Sequence, residues 1–184
     1  MKHYQDIVIL PNPEIAASVL MATLFIQLHL KLAQVGVGRI GISFPEVGLT
    51  LGSRLRLHGT RDDLTRLEAT GWHSKVRDYI YCHDVRRVPE DCRYRTVRRV
   101  QYKSSAERLR RRSVKKGWLT QEQAEQKISV RSEKRGTLPF LSVKSHSNGH
   151  TWLFFIEHGP LKAMPIEGSF SSYGLSAEAT IPWF

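Results

Sequence analysis

The chain has 184 residues, 41% of them hydrophobic, and 28 Lys and Arg against 17 Asp and Glu give it a formal net charge of +11. That length and apolar share suit one sizeable domain or two small ones. No stretch is expected to reach the ~18 to 20 apolar residues of a membrane span, and the start Met1-Lys2-His3-Tyr4-Gln5 leads into a strand-like run and not a signal sequence, so a soluble, cytoplasmic protein is expected.

Tyr4 to Leu10 reads as a strand, Pro11-Asn12-Pro13 as a turn, and Glu14 to about Val35 as a long apolar helix stopped by Gly36 and Gly38. On a helical wheel Ala17, Leu20, Met21, Leu24, Leu28, Leu32 and Val35 share one face, which should pack on a sheet, with His29 at its edge. Two strands follow, Arg39 to Phe44 and Arg54 to His58, the second with Leu55 and Leu57 alternating with arginines. Thr60 caps a short helix to about Ala69, with Asp63 at the capping-box position, and Lys75 to Val85 reads as another strand. Strand, helix, strand, strand, helix, strand is the order of a ferredoxin-like unit, so an α+β fold is expected with a first domain over 1–88.

Beyond Pro89 the composition changes, and a smaller C-terminal α+β module is expected over 89–184. Tyr94 to Lys103 alternates charge and small apolar residues, Ser104 to Glu107 is a capping box entering an arginine-rich helix closed by Gly117, and Thr120 with Gln123 caps another. Leu138 to Lys144 and Thr151 to Glu157 read as strands around an Asn148-Gly149 turn, followed by an aromatic tail from Ser169 to Phe184.

The charge is concentrated. Residues 86 to 116 hold thirteen Lys and Arg against Glu90, Asp91 and Glu107, a local +10, which is the footprint of a polyanion site and points to nucleic acid. In the helix, Arg108, Arg111, Arg112 and Lys115 share one face, and cations at these spacings repel unless phosphates stand between them. No helix-turn-helix, zinc finger or basic zipper would place that helix on DNA, so a structured RNA hairpin fits best. Cys82 and Cys92 have no CxxC or histidine-spaced partners, and His146 and His150 lack a carboxylate partner, so neither a metal nor a cofactor is expected.

Several strings resemble the CRISPR repeat-processing endoribonucleases of type I-F systems: His3-Tyr4, Leu20 to Phe25 with His29, Arg39 to Pro45, Glu107 to Arg112, His158-Gly159-Pro160-Leu161, Ser172 to Ser176 and Pro182-Trp183-Phe184. The resemblance covers essentially the whole chain. It implies a ferredoxin-like domain joined to a module whose arginine-rich helix enters the major groove of a repeat hairpin. It implies cleavage of the precursor transcript at the hairpin base without metal, by attack of the ribose 2′-hydroxyl on the adjacent phosphate, leaving a cyclic phosphate and a 5′-hydroxyl. It implies that the protein, a monomer when free, keeps the mature crRNA and joins other subunits of a surveillance complex.

Residue by residue, the resemblance makes His29 the proton acceptor, a task suited to an imidazole that is neutral at neutral pH. Ser145 would hold the ribose 2′-hydroxyl, Ser147 would assist, and Tyr173 would orient His29 or a phosphate, since a phenol keeps its proton at neutral pH. Arg99 and Gln101, two apart in a strand, would read base edges of the lower stem, and Trp152 would stack on the terminal base pair. Lys115 and Lys116 stand where relatives can carry arginines, so phosphate contacts there would be point-like and less bidentate.

Overall fold

Strand β1 (His3–Ile9) ends at Pro11-Asn12-Pro13, where Asn12 Oδ1 accepts from the backbone N–H groups of Glu14 and Ile15, both at 2.8 Å. This side-chain turn occupies the segment from which helix α1 (Ala17–Val35) was expected to start, so the helix begins at Ala17. The structure, a computed structural model, describes residues 1–35, 38–102, 106–128, 137–144 and 151–184. The expected helix face is buried at Leu20, Met21, Leu24, Leu28 and Leu32, and it widens to take in Ala22, Phe25 and Gln27, while Ala17 is exposed. With 19 residues and a mean hydropathy of 1.4, α1 has the length and composition of a membrane span, contrary to the expectation from sequence. In this fold its apolar face is instead covered by protein.

β2 (Gly41–Ser43), β3 (Arg54–Gly59) and β4 (Ile80–Cys82) join β1 in an antiparallel sheet of order β2-β3-β1-β4, and the short β5 (Arg86–Arg87) pairs with the start of β1. Between β3 and β4 lies α2 (Arg61–Glu68), capped as expected by Thr60, whose hydroxyl accepts from the Asp63 N–H at 3.1 Å. The architecture is α+β, and its order of elements and strands is consistent with the ferredoxin-like reading. The expected strand from Lys75 is different: Ser74–Tyr79 forms a 3-10 turn and only Ile80–Cys82 pairs with β1. Val76, 2% exposed, anchors that turn in the core and mimics the alternation of a strand.

β3 also departs from the expected arginine-out pattern. Arg56 is buried and donates from Nε to Asp6 Oδ1 at 2.6 Å and from Nη2 to Asp6 Oδ2 at 2.9 Å, its direct cross-strand partner on β1. Its guanidinium lies 4.7 Å from the Tyr4 ring centroid and 4.0 Å from that of Phe184, and its Nη1 donates to the Phe184 carbonyl at 3.1 Å. Arg54 and Arg56 offset the cost of burying the Asp6 carboxyl and hold it below its ordinary range.

The second sheet contains β6 (Arg93–Val100), β7 (Phe140–Lys144), β8 (Thr151–His158) and β9 (Ser176–Trp183), in the order β7-β8-β6-β9. The aromatic tail was not assigned an element from sequence; β9 forms within it at the sheet edge, where the missing N–H of Pro182 is tolerated. The chain divides into two compact units, 1–100 with 138–184, and 101–137. The expected boundary after Val88 falls within the first.

The second unit contains α3 (Ala106–Lys115) and α4 (Gln121–Lys127). Gly117 ends α3 at φ +68°, with the Gly117 N–H donating to Val114 O and the Trp118 N–H to Ser113 O, both at 3.0 Å; this double C-cap needs a residue at ease with positive φ. Thr120 and Gln123 form the expected capping box on α4, and Arg110 donates twice to the Ile128 carbonyl, from Nε at 2.9 Å and from Nη2 at 2.6 Å.

Two histidines of the larger unit make it acid-sensitive. His58 is fully buried, with Nε2 2.8 Å from Ser43 Oγ, and burial followed by the charge of Arg56 lowers its pKa to about 3. Burial, then Arg95, lowers that of His158 to about 4. Both fall below the ordinary value of about 6.5, so the unfolded chain takes up these protons first. Their contribution to stability is therefore complete above about pH 6.5 and is lost as pH falls toward these values, by about 1.4 kcal/mol per unit and per histidine. Urea unfolding at pH 7 and pH 5 should show a drop of about 4 kcal/mol, and His58→Gln should flatten the profile.

Candidate active site

His29 is partly exposed on α1, one helical turn beyond Phe25, so the two side chains lie on the same side of the helix. The Tyr173 ring lies across both. It is stacked on His29 at a centroid distance of 3.7 Å and an interplanar angle of 6°, and on Phe25 at 5.6 Å and 17°. Phe154 of β8 closes the other side, 4.9 Å from Tyr173 and 5.0 Å from Phe25, and both phenylalanines are fully buried. The imidazole plane is thus set by a packed aromatic wall.

Its rotation and tautomer are set by the backbone. His29 Nδ1 lies 3.1 Å from the Ser172 carbonyl oxygen, which can only accept, so Nδ1 carries the proton in the neutral ring and the Nε2 lone pair is left for chemistry. The Ser172 carbonyl is held in a tight turn. The Gly174 N–H donates to Ser171 O at 2.8 Å, the Ser171 N–H to Leu175 O at 2.9 Å, and the Ile42 N–H of β2 to Gly174 O at 2.9 Å. Gly174 sits at φ +70°, and an added Cβ would lie 2.7 Å from Ile42 Cγ2. Both constraints require glycine. Gly174→Ala should therefore lower stability by about 1–3 kcal/mol and displace the Ser172 carbonyl, which a thermal melt together with the NMR shift of the His29 ring would reveal.

The structure brings His29 and Tyr173 together as expected. Ser145 and Ser147, with His146, His150 and the Asn148-Gly149 turn, lie outside the described residues, as do Ser104 and Ser105 of the expected capping box. Arg99 is exposed on β6 with its Cζ 4.4 Å from the centroid of Phe154, the ring that supports Tyr173. Gln101 is exposed but lies one residue beyond β6, so the expected pair does not share a strand. Trp152, on β8 opposite Val143, is 36% exposed. On α3, Arg108, Arg111, Arg112 and Lys115 are exposed, and Lys116 lies just past the helix with its Nζ 4.8 Å from the Trp118 ring centroid.

Phe25, Phe154, Ser172 and Gly174 were not singled out as functional from sequence. The Phe25 and His29 spacing and the Ser-Tyr-Gly string were visible, but only the fold shows that they meet. A cavity of about 1230 Å3 beside α1, lined by Val19, Ile26, Leu30, Leu49 and Phe140 among others, is lined by neither His29 nor Tyr173.

An α+β protein that fixes one imidazole tautomer with its second nitrogen free, and that carries a dense run of arginines, is equipped for acid–base chemistry on a polyanion. Comparison with known proteins narrows that class. Residues 4–184 match the family model described as CRISPR-associated protein (Cas_Csy4), and the chain belongs to this family. It is 52% identical over 184 residues to a CRISPR-associated endonuclease Cas6/Csy4 of Escherichia coli (strain UTI89 / UPEC), and 42% identical over 187 residues to one of Pseudomonas aeruginosa (strain UCBPP-PA14), in each case over 100% of both chains.

Proposed function

We propose that this chain is an endoribonuclease that binds the stem-loop of a CRISPR repeat and cuts precursor crRNA at the base of the hairpin. The observation that carries this reading is the fixed tautomer of His29: its Nδ1–H is held by the Ser172 carbonyl and its ring by Tyr173, so Nε2 is a pre-aligned proton acceptor. The relatives named as endonucleases and the local charge of +10 over residues 86 to 116 support it. In this reading His29 takes the proton of the ribose 2′-hydroxyl, which attacks the neighbouring phosphorus in line. The P–O5′ bond breaks and the leaving oxygen takes a proton from water, giving a 2′,3′-cyclic phosphate and a 5′-hydroxyl, and His29 later returns its proton to solvent. The nucleophile is the substrate's own, so no metal-bound water is required.

Ser145 holds the 2′-hydroxyl in this mechanism, with Ser147 beside it, and Tyr173 positions His29. Arg99 and Gln101 read base edges and Trp152 stacks on the terminal base pair. Arg108, Arg111, Arg112, Lys115 and Lys116 contact phosphates, and 89–184 works as the RNA-holding half. The product stays bound and is passed, still held, to the other subunits of a surveillance complex in the cytoplasm.

The test is cleavage of a labelled cognate repeat hairpin in EDTA, beside a hairpin carrying 2′-deoxy at the nucleotide before the cut. The first is cut to a cyclic-phosphate product; the second binds and stays intact. Native protein that binds the normal hairpin in EDTA but leaves it whole would instead be a subunit that only holds the guide RNA.

A further inference from the structure

Glu68 at the end of α2, His73 just before the 3-10 turn and Cys82 on β4 bring a carboxylate oxygen, a ring nitrogen and a thiol sulfur within 4.8 Å of one another. His73 Nε2 lies 2.8 Å from Glu68 Oε1, and its Nδ1 is buried without a partner among the described residues. Gln5 on β1, 4% exposed, donates through Nε2 to Glu68 Oε2 at 3.4 Å and to the His83 carbonyl at 3.2 Å. Both of these neighbours are acceptors, which fixes the orientation of the amide. Its Oε1 is buried and has no hydrogen-bond partner among the described residues.

The cluster offers a carboxylate, an imidazole and a thiol, and among the described residues the second ring nitrogen of His73 has no hydrogen bond. A cation satisfies such a cluster where hydrogen bonds cannot. We propose that Glu68, His73 and Cys82 bind one zinc ion, with a water in the fourth position. Mixed sulfur, nitrogen and oxygen donors suit zinc, whereas magnesium and calcium take oxygen alone. Thiolate and carboxylate together neutralise its charge. On binding, the S–H bond breaks as the Zn–S bond forms, the proton leaves to solvent, and the hydrogen bond between Glu68 and His73 gives way to metal bonds. Bonds of about 2.0–2.3 Å in a tetrahedron place ligand atoms about 3.3–3.7 Å apart, so the cluster closes with about 1 Å of side-chain movement. Glu68, with its side chain 35% exposed, gives the ion a way in. The ion would tie the end of α2 to β4 and supplies no step to the cleavage chemistry of His29.

The test is titration of the full chain, stripped with EDTA and freed of chelator, with cobalt(II) and then zinc. One cobalt per chain should bind with a near-ultraviolet thiolate-to-cobalt band, zinc should displace it, and one proton should be released per ion. Cys82→Ser should abolish that band and weaken zinc binding by at least about 100-fold, and Glu68→Gln by about tenfold. Cys92→Ser should leave both unchanged. Absence of saturable cobalt binding, or a band that survives Cys82→Ser, overturns the site. If Cys82→Ser does not fold, Glu68→Gln decides, and unchanged zinc affinity in that variant overturns it.

Discussion

His29→Ala is expected to slow cleavage of the repeat hairpin by about 10²- to 10⁴-fold, the range of a positioned general base, while hairpin binding persists. The reason lies in two contacts that act on one ring. The Ser172 carbonyl selects the tautomer and Tyr173 sets the plane, so a base placed elsewhere on α1 would not be aligned. The same geometry separates two roles for Tyr173. If its stacked ring is what matters, Tyr173→Phe retains most of the activity and Tyr173→Ala loses it. Single-turnover cleavage with binding measured separately distinguishes these outcomes; equal losses in both variants would mean that the phenol itself takes part. Phe154 extends the wall toward Arg99, so replacing Phe154 by Ala should also loosen Tyr173 and His29, with a smaller loss of rate.

Arg56→Met should cost about 3–5 kcal/mol of stability, because it leaves Asp6 buried without its bidentate partner. For a chain of this size that is a fall of about 10 °C in Tm. Arg54 softens the loss through its own 3.2 Å contact with Asp6, but it is more exposed and also serves Glu46. Replacing both partners, Asp6→Leu with Arg56→Met, should recover much of the stability, since the buried charge is then gone altogether. Calorimetry of the two single variants and the double variant tests this; a double variant as weak as the sum of the singles would place the energy in the aromatic sandwich of Tyr4 and Phe184 and not in the ion pair.

Local chemistry in the sequence foretold much of this fold. The leucine stripe of α1, the Thr60 and Thr120 caps and the Gly117 stop are written in neighbouring residues, and each forms, the stripe without Ala17. Where the reading departed from the structure, the deciding partner was far away in sequence. Arg56 resembles a surface arginine until Asp6 and Phe184, 50 and 128 residues away, bury it. The segment from Lys75 alternates like a strand, but packing against the core curls Ser74–Tyr79 into a 3-10 turn. β9 falls in the aromatic tail, which carried no expected element, and its Pro182 is tolerated at the sheet edge. Of the site, His29 and Tyr173 were legible through the strings around them, whereas the carbonyl that sets the tautomer belongs to Ser172 and leaves no mark in side-chain chemistry.

The hydrogen bond from His29 to Ser172 spans 143 positions. During synthesis α1 leaves the ribosome early and waits for its partner through the rest of the first sheet, the inserted second unit and three strands of the second sheet, a closure of the kind that slows folding. A nascent chain halted between Lys116 and Ser172 already contains every arginine of α3 and has no oriented imidazole. Stalled translation would therefore yield polypeptides that carry the means to grip a transcript and lack the means to sever it.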